Sequence, residues 1–492
     1  MSSSTASLTV TADAELVFVP APGMGHLKSA VELAKLIIQR NHRISIVILI
    51  INIPTTTSLI NDFVHSQSRN NPYPTHLTFM TLPPLSNPPE RSSPDFMRIL
   101  IELHEPLVKQ AVEERIRAGS SKLAGFVLDM FCTNMIDIAT NLNVPAYIFF
   151  TSGANMLSLM FHFQSMNDEG VFDLTKDHIS PNAEFDVPGF VNRVPEKVLP
   201  AVLIDKESGV PMLLNLVRGL RRSKGILVNS FTELETSGVQ ALLDQATEGG
   251  SIPAIYPVGP ILELDSGSQG EDHVSILQWL DKQPSSSVVF LCFGSMGSFD
   301  ANEVKEIANG LEKSGHRFLW SLRKPPSAGT TQPSQDQTFV EALPEGFVDR
   351  TAKIGKIISW APQVSILSHP SVGGFVSHCG WNSTLESMWF GVPVATWPLH
   401  AEQQLNAFEL IKELGLAVEI RMDYRHDWKT RKANFVVTAE EVENGVQKLM
   451  SLDEETKKRV RQMRDEGRKA LEDGGSSHMS LARFIQDVLT FE

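Results

Sequence analysis

Polar side chains and glycine cluster in the segment SHCGWNSTLES, residues 377–387. The apolar run GGFVS before it is typical of a strand, and the spacing of TLESMWF after it predicts a helix. Backbone N–H groups at a helix N-terminus attract phosphate, and a hydrogen bond to a charged group contributes about 1.5–3 kcal/mol. A diphosphate needs several such donors, and the loop supplies His378, the backbone at Gly380, the Asn382 amide and the Ser383 hydroxyl.

Two features of this region admit more than one interpretation. His378 is followed by cysteine, but no further Cys or His lies at ligand spacing, so a metal site is not predicted. Glu386 either forms a capping box with Ser383 or faces a cleft and accepts hydrogen bonds from sugar hydroxyls. A second loop of small residues, FGSMGS at 293–298, ends another predicted strand and adds Ser295 as a donor.

A glycine-rich turn, PGMGH at 22–26, connects the first predicted strand to the first predicted helix. It is not a dinucleotide-binding fingerprint, because Lys28 stands in place of the third glycine and residues 45–55 contain no acid. The turn delivers His26 to the carboxyl end of the first strand, where open α/β sheets bind their ligands. His26 could act there as a general base, or it could make only a structural hydrogen bond.

Asp129 ends the predicted strand GFVLD, so its carboxylate is expected at the same edge of the sheet as His26. A buried acid is costly unless it is paired. Asp129 could cap the following helix, or it could accept one ring N–H of His26 and so orient a general base. Because the sequence has no G-x-S-x-G elbow, such a base would act on a group from outside the chain.

Alternating strand and helix signals must position these residues. In the first half, strands such as ELVFVP, ISIVILII and GFVLD alternate with helical segments, which predicts a parallel sheet covered by helices on both faces. A Pro-, Gly- and Ser-rich segment interrupts the pattern, and a second series follows. We predict two α/β domains that bind ligand in the cleft between them, with an N-terminal domain at 1–255, a linker at 256–273 and a C-terminal domain at 274–470.

The composition limits the class of partner. The chain has 492 residues and a formal net charge of −14 without any basic run, so a nucleic-acid surface is not expected. Its three cysteines, Cys132, Cys292 and Cys379, lie far apart, which favours a reducing compartment. The first residues lack the basic and apolar segments of a signal peptide, and the most apolar stretch, 44–53, is too short to span a bilayer. We therefore expect a cytoplasmic protein with no membrane span.

Residues 360–403 carry a longer pattern than either loop alone. The opening Trp-Ala-Pro-Gln, the HCGWNSTLE core, the closing Gln and the length of 44 residues resemble the signature of plant family 1 UDP-sugar-dependent glycosyltransferases. The PGMGH turn and the aspartate after the fourth strand extend the resemblance over essentially the whole chain. It implies a GT-B fold of two Rossmann-like domains facing across a cleft, with the final helix at 471–492 packing back on the first domain.

The same resemblance implies UDP-glucose as a co-substrate and no cofactor. The sequence contains no Asp-x-Asp, so no divalent-metal clamp of that type is implied. Trp381 stands where glucose users of the family generally carry Trp, which favours glucose as the sugar. We also expect the protein to be a monomer that binds a small hydrophobic hydroxylated acceptor.

The resemblance assigns a role to each matching residue. Trp360, Ala361 and Gln363 would hold the uracil and the ribose edge, and Glu386 would bind the ribose hydroxyls. The diphosphate would be bound by Ser295, His378, Gly380, Asn382 and Ser383. The rest of the donor would be contacted by Gly25, Thr151, Trp381, Glu402 and Gln403. Two positions depart from the usual pattern, with Glu402 where Asp is common and His400 where Tyr is frequent.

The activity implied by the resemblance is inverting transfer of glucose to a hydroxyl. His26, held by Asp129, would take the proton of the acceptor hydroxyl as that oxygen attacks the anomeric carbon, giving a β-O-glucoside. We expect a flavonoid or another phenolic acceptor. A triterpenoid or hormone acceptor stays open, as does a catalytically idle binder of the same fold. Met130 and Phe131 either line the acceptor pocket or belong to the core, and His400 would sit at the acceptor end.

Overall fold

The computed structural model of the protein describes residues 13–53, 57–90, 95–119, 122–247, 250–264, 271–326, 338–427 and 433–491. None of the helices described there is both long enough and apolar enough to cross a lipid bilayer.

The first half of the chain forms a seven-stranded parallel sheet and a separate two-stranded ribbon. Its strands are β1 (Ala14–Val19), β2 (Ile44–Ile50), β3 (Leu77–Thr81), β4 (Lys122–Asp129), β5 (Ala146–Phe150), β6 (Glu184–Phe185), β7 (Val194–Pro195), β8 (Gly225–Val228) and β9 (Ala254–Pro257). The sheet order is β3-β2-β1-β4-β5-β8-β9, and β6 pairs with β7. Every residue of β1, β2, β5 and β8 is buried, as expected for a parallel sheet covered on both faces.

Helices of the first half cover this sheet. They are α1 (Met24–Arg40), α2 (Thr57–Arg69), α3 (Phe96–Arg117), α4 (Ile136–Asn141), α5 (Ala154–Asp168), α6 (Ala201–Ile204), α7 (Gly209–Arg222) and α8 (Thr236–Thr247). Short 3₁₀ turns occur at Met130–Met135 and Glu196–Val198.

The second half repeats the plan with a six-stranded parallel sheet. Its strands are β10 (Val288–Cys292), β11 (Arg317–Ser321), β12 (Gly355–Ile358), β13 (Val372–Ser377), β14 (Val394–Thr396) and β15 (Ala417–Glu419), in the order β12-β11-β10-β13-β14-β15. Its helices are α9 (Glu271–Leu280), α10 (Ala301–Ser314), α11 (Phe347–Thr351), α12 (Gln363–Leu367), α13 (Trp381–Phe390), α14 (Gln403–Phe408), α15 (Ala439–Met450) and α16 (Glu454–Leu471), with a 3₁₀ turn at Val340–Ala342 and a π-helical turn at Glu409–Glu413.

Each sheet reverses its strand order at one place, and the chemistry-bearing loops lie there. In the first sheet β1 lies between β2 and β4, and in the second β10 lies between β11 and β13. The turn carrying His26 follows β1, and Asp129 ends β4; the loop carrying Ser295 follows β10, and His378 follows β13. Such a switch point opens a crevice at the carboxyl ends of the strands.

The last helix, α17 (Ser476–Leu489), packs against the first sheet although α16 before it packs against α13. Phe484 lies edge-on to Tyr147 with ring centroids 4.9 Å apart, and the Tyr256 hydroxyl donates to Asp487 at 2.5 Å. The segment 256–273 was predicted to be a linker. In the structure its first residues belong to β9, where Tyr256 is buried in the first sheet, and its last residues belong to α9. The boundaries proposed for the two domains stay a prediction.

Candidate active site

A cavity of about 570 Å³ lies in the cleft between the two sheets. One wall comes from α1 and α2 of the first half, with Met24, Lys28 and Phe63 among its side chains. The other wall includes seven of the residues predicted to contact the donor: Ser295, Trp360, Ala361, Gln363, Asn382, Ser383 and Glu386. These residues come from separate loops of the second half, and the fold collects them in one place.

The His26 imidazole lies in the first turn of α1 and faces the end of β4. Its Nδ1 is 2.7 Å from Oδ2 of Asp129, and the hydroxyl of Thr151 is 3.2 Å from the same nitrogen. Because an ionised carboxylate only accepts hydrogen bonds, Nδ1 carries the proton and Nε2 is the basic nitrogen. The His26 side chain is 30% exposed and that of Asp129 only 2%, so the pair is anchored in the core and open on one side. Thr151, assigned to the sugar by resemblance, contacts this imidazole.

The charges around His26 favour its protonated form. Burial lowers the pKa of His26, but the charge of Asp129, the hydrogen bond to it and the charge of Glu402 together raise the pKa above the usual value of 6.5. A raised pKa makes the neutral imidazole a stronger acceptor for a proton. The site therefore has the electrostatics of a general base.

Two hydrogen bonds fix the carboxylate of Asp129. Oδ2 bonds to His26, and Oδ1 accepts the N–H of Phe131 at 3.0 Å as the cap of the turn at Met130–Met135. The sequence left capping and pairing as alternatives for this aspartate, and the structure contains both contacts. The cap restricts the rotation of the carboxylate and so orients the imidazole.

A small hydrogen-bond network shapes the far end of the cavity. The Gln363 amide Nε2 donates to the Ser383 hydroxyl at 2.8 Å and to Oε2 of Glu386 at 2.7 Å. Burial raises the pKa of Glu386 to about 7, although the bond from Gln363 and the charge of Lys28 oppose the rise. The N-cap of α13 is Gly380 and not Ser383, so Glu386 does not stand at the position of a capping-box partner. The Glu386 side chain lines the cavity instead. The capping-box interpretation of Ser383 and Glu386 is wrong.

His378 is enclosed by two glycines. A Cβ atom at Gly294 or at Gly380 would overlap the His378 ring, and Gly294 has a left-handed φ of +71°. Burial first, and then the electrostatic effects of His400 and Arg323, lower the pKa of His378 to about 3. The imidazole is therefore neutral near pH 7. Its Nδ1 has no partner within the described part of the chain.

Trp381 spans the boundary between the two halves. It is 4% exposed, and its Nε1–H donates to the backbone carbonyl of Asn229 at 2.7 Å. Gly153, at the start of α5, permits the approach, because a Cβ there would lie 2.8 Å from the indole. The two halves also meet at Gly25, whose Cβ position is 3.5 Å from the Asn382 amide. Trp381 thus holds the helix start of the second half against the first half.

The turn before α14 carries the residues predicted to contact the hexose. Oε1 of Gln403 accepts the N–H groups of Leu399 and His400 at 2.9 and 3.0 Å, which fixes the turn. Burial raises the pKa of the Glu402 carboxyl, and the charge of His26 opposes the rise. Glu402 therefore lies within electrostatic reach of the imidazole across the cleft.

The residues predicted to face the acceptor fall into two places. Phe131 is 38% exposed and lies edge-on to His26, with ring centroids 5.6 Å apart, whereas Met130 is half-buried and packs against the core. His400 lines a second cavity of about 520 Å³. Burial, and then the charge of His426, lower the pKa of His400 to about 4, so this imidazole is also neutral near pH 7.

Three residues that shape the cleft were not identified from the sequence. Arg323 is 4% exposed and lies against the loop at 293–298. The sequence contained one indication of it, a cation two positions after the end of an apolar strand. Lys28 lines the cavity of about 570 Å³, called the donor cavity below after the residues predicted to contact the donor, and pairs with Glu263 at 2.5 Å. The sequence had shown it only as a departure from a glycine pattern. Asn229 acts through its backbone carbonyl, which no side-chain pattern could indicate.

Among the described residues no three His, Cys, Asp or Glu side chains are grouped so as to hold a metal ion.

Comparison with known proteins places this geometry in a family. Residues 257–454 match the family model described as UDP-glucoronosyl and UDP-glucosyl transferase. A curated relative, UDP-glucose flavonoid 3-O-glucosyltransferase 6 of Fragaria ananassa, is 48% identical over 97% of this chain and 99% of its own.

Two solved structures are similar over the whole fold. One is a UGT transferase from Siraitia grosvenorii in complex with UDP, 44% identical, with a TM-score of 0.87 over 97% of this chain and 100% of that chain. The other is Medicago truncatula UGT71G1 complexed with UDP-glucose, 39% identical, with a TM-score of 0.83 over 97% and 98% of the two chains. The predicted GT-B arrangement is confirmed, and the chain belongs to the UDP-glucuronosyl and UDP-glucosyl transferase family.

Proposed function

We propose that the protein transfers glucose from UDP-glucose to a hydroxyl of a small hydrophobic phenolic acceptor, with inversion at the anomeric carbon. The observation that carries the proposal is the His26–Asp129 pair, 2.7 Å apart, at the carboxyl edge of the first sheet. Gly25, next to His26, lies against Asn382. A base and a diphosphate site are thus close enough for one donor molecule to reach both.

The donor half of the proposal rests on the cavity and on the relatives. Trp360 is 45% exposed and offers a flat face for uracil, while Glu386 and Gln363 present polar atoms for the ribose. The diphosphate would lie between the loop at 293–298 and the start of α13. The two similar solved structures hold UDP and UDP-glucose, which supports a UDP-sugar in this cleft.

The proposed reaction is a single displacement. The acceptor oxygen forms a bond to the anomeric carbon while the bond from that carbon to the diphosphate oxygen breaks, and UDP leaves with the electron pair. The acceptor proton passes to Nε2 of His26, and Asp129 stabilises the resulting imidazolium. Attack from the face opposite UDP converts an α-linked donor into a β-glucoside.

The second cavity supports an uncharged acceptor. Its described lining combines apolar side chains such as Met212, Met296 and Phe299 with five carboxylates and two histidines, and includes no Lys or Arg. Such a lining offers an acceptor carboxylate no Lys or Arg to pair with, so an uncharged acceptor is favoured. A relative named as a flavonoid glucosyltransferase supports a neutral phenolic of that class.

The test is a panel assay with UDP-glucose. We expect a phenolic or flavonoid to yield a glucoside by mass spectrometry, with a β-anomeric proton coupling by NMR and one UDP released per product. A neutral phenol should outperform the same ring bearing a carboxylate. An α-linked product would contradict the inverting step, and UDP binding without product from any phenolic, terpenoid or hormone acceptor would favour an idle binder.

We further propose that the protein acts as a monomer in the cytoplasm. The three cysteines are buried and free, which fits a reducing compartment. Sedimentation at working concentration tests the first point, because a dimer would give twice the chain mass of 54.4 kDa. Imaging of a fluorescent fusion tests the second.

A further inference from the structure

Arg323 lies beneath the loop that follows β10. The residue comes two positions after the end of β11, and only 4% of its surface is exposed. Its guanidinium donates to the backbone carbonyl of Ser295 at 2.8 Å, to that of Gly297 at 3.0 Å and to that of Gly294. One side chain therefore holds three carbonyls of a loop of small residues.

These hydrogen bonds determine which way the loop presents its N–H groups. In a trans peptide the C=O of one residue and the N–H of the next point in opposite directions. Carbonyls at 294, 295 and 297 that face Arg323 therefore turn the N–H groups of Ser295, Met296 and Ser298 away from it. Ser295 lines the donor cavity, and Met296 and Ser298 line the second cavity. None of these three N–H groups donates to another residue in the described part of the chain.

Arg323 also carries a charge that no carboxylate balances within the described residues. Its acceptors are neutral carbonyls, and the Trp360 ring lies 5.8 Å from the guanidinium. Burial lowers the pKa of Arg323, which reflects the cost of a charge removed from water. An isolated buried cation of this kind is stabilised when an anion binds nearby.

The other candidates for positive charge at this place are ruled out or already paired. His378 is neutral near pH 7, because its pKa is lowered to about 3. Lys28 and Lys35, which both line the donor cavity, are paired with Glu263 and Glu32. The positive charge available to a diphosphate is therefore that of Arg323, whose guanidinium lies directly beneath the loop at 293–298.

We propose that Arg323 is a positioning residue for the diphosphate, which orients the N–H groups of the loop at 293–298 towards the cleft and supplies the positive charge behind them. Successive backbone N–H groups of a turn form an anion-binding concavity, and Arg323 builds one here. This inference rests on the proposed diphosphate site and adds the residue that organises it.

The test compares the affinity for UDP with that for uridine by calorimetry. Arg323→Met removes the charge and all three hydrogen bonds, so we expect UDP to bind at least tenfold more weakly while uridine affinity changes less than twofold. Arg323→Lys keeps a charge but lacks the planar fork that reaches several carbonyls, and an intermediate loss is expected. The ratio of the two affinities is the decisive quantity, since general damage to the domain would weaken both ligands.

Arg425 provides the matched control. It is a half-buried arginine, and its guanidinium donates to the backbone carbonyl of Leu199 at 2.7 Å, away from the donor cavity. Arg425→Met should leave the ratio of UDP to uridine affinity unchanged.

Equal weakening of UDP and uridine in the Arg323 variants, or no weakening of either, would overturn the proposal. If Arg323→Met fails to fold by circular dichroism, the ratio in Arg323→Lys decides, and an unchanged ratio overturns it. Failure of the wild-type protein to bind UDP would count against the proposed function as well. Wild-type binding with an unchanged ratio would count against the role of Arg323 alone.

Discussion

The molecule places a histidine after a central strand in each half, and the two have opposite electrostatics. His26 follows β1, bonds to a carboxylate and has a raised pKa. His378 follows β13, lies between two glycines near Arg323 and has a pKa lowered to about 3. The switch point of each sheet thus carries one histidine, proposed as a base in the first half and as a neutral hydrogen-bonding group in the second. The difference arises because the carboxylate of Asp129 outweighs burial at His26, whereas burial and then the electrostatic effects of nearby groups lower the pKa of His378.

The sharpest way to break this comparison is to remove the proposed base. His26→Ala should lower kcat by about 10²–10⁴-fold, the contribution of a positioned general base. The UDP dissociation constant should change less than twofold, because the residues proposed to hold the nucleotide lie in the opposite half. Steady-state kinetics and calorimetry measure the two quantities. Normal turnover of the variant with a hydroxyl acceptor would refute the assignment of His26.

The next test fills the space that the glycines leave around His378. Gly294→Ala puts a methyl group into the imidazole at a left-handed φ of +71°. The ring must move out of the proposed diphosphate site, so UDP affinity should fall about tenfold or more, which corresponds to about 1.4 kcal/mol. Calorimetric titration with UDP measures the loss.

Gly315 supplies the control for backbone strain. It has a similar φ of +67° but nothing within 4 Å of its Cβ position. Gly315→Ala should cost stability of about 1 kcal/mol, as expected for a left-handed position, without changing UDP binding. Equal loss of UDP affinity in the two variants would show that strain and not the displaced imidazole is responsible.

The pH dependence of kcat sharpens the contrast between the histidines. Because the base must be unprotonated, kcat at saturating substrates should fall about tenfold per pH unit below the pKa of His26. That pKa lies above 6.5, since the charge and hydrogen bond of Asp129 outweigh the effect of burial. His378 contributes no step in this range, as its pKa is about 3. Asp129→Asn should move the step to lower pH and reduce the plateau.

A profile of kcat that stayed flat from pH 5 to 9 would contradict a base of raised pKa. If the same step remained in the pH profile of the Asp129→Asn variant, the group that titrates would not be the His26–Asp129 pair. UDP affinity should be measured over the same range, because Glu386, with a pKa of about 7, titrates there in the donor cavity.

The smallest expected effect concerns the contact between the two halves. Trp381→Phe removes the hydrogen bond to Asn229 while it keeps most of the buried ring. Loss of a neutral hydrogen bond costs about 0.5–1.5 kcal/mol, so the unfolding temperature should fall by only a few degrees. Differential scanning fluorimetry measures this shift. A large loss of UDP affinity without a change in Tm would instead assign Trp381 to the donor site.

The fold could be predicted from the sequence because its strands are apolar runs that alternate with helices. The segment ISIVILI became β2 and VVFLC became β10, each buried along its whole length. His26, Asp129 and His378 could be identified for a related reason, since polar residues directly after such strands lie at one edge of a sheet. Local pattern and sheet topology were sufficient there.

The rest depends on contacts between distant parts of the chain. Arg323 bonds to carbonyls almost thirty residues earlier, and Trp381 to a carbonyl 152 residues earlier. Thr151 was assigned to the sugar by resemblance, yet its nearest described partner is the His26 imidazole. The donors and acceptors in these contacts are often backbone atoms, which have no sequence signature.

The return of α17 to the first sheet means that the polypeptide passes between the two halves twice, once after β9 and once before α17. A single tether would leave the halves free to swivel in any direction, whereas two covalent crossings define an axis. We expect relative movement to be a bend about that axis, which would widen or narrow the gap while its two faces stay in register. A base and a leaving group on opposite faces would in this way realign after each opening.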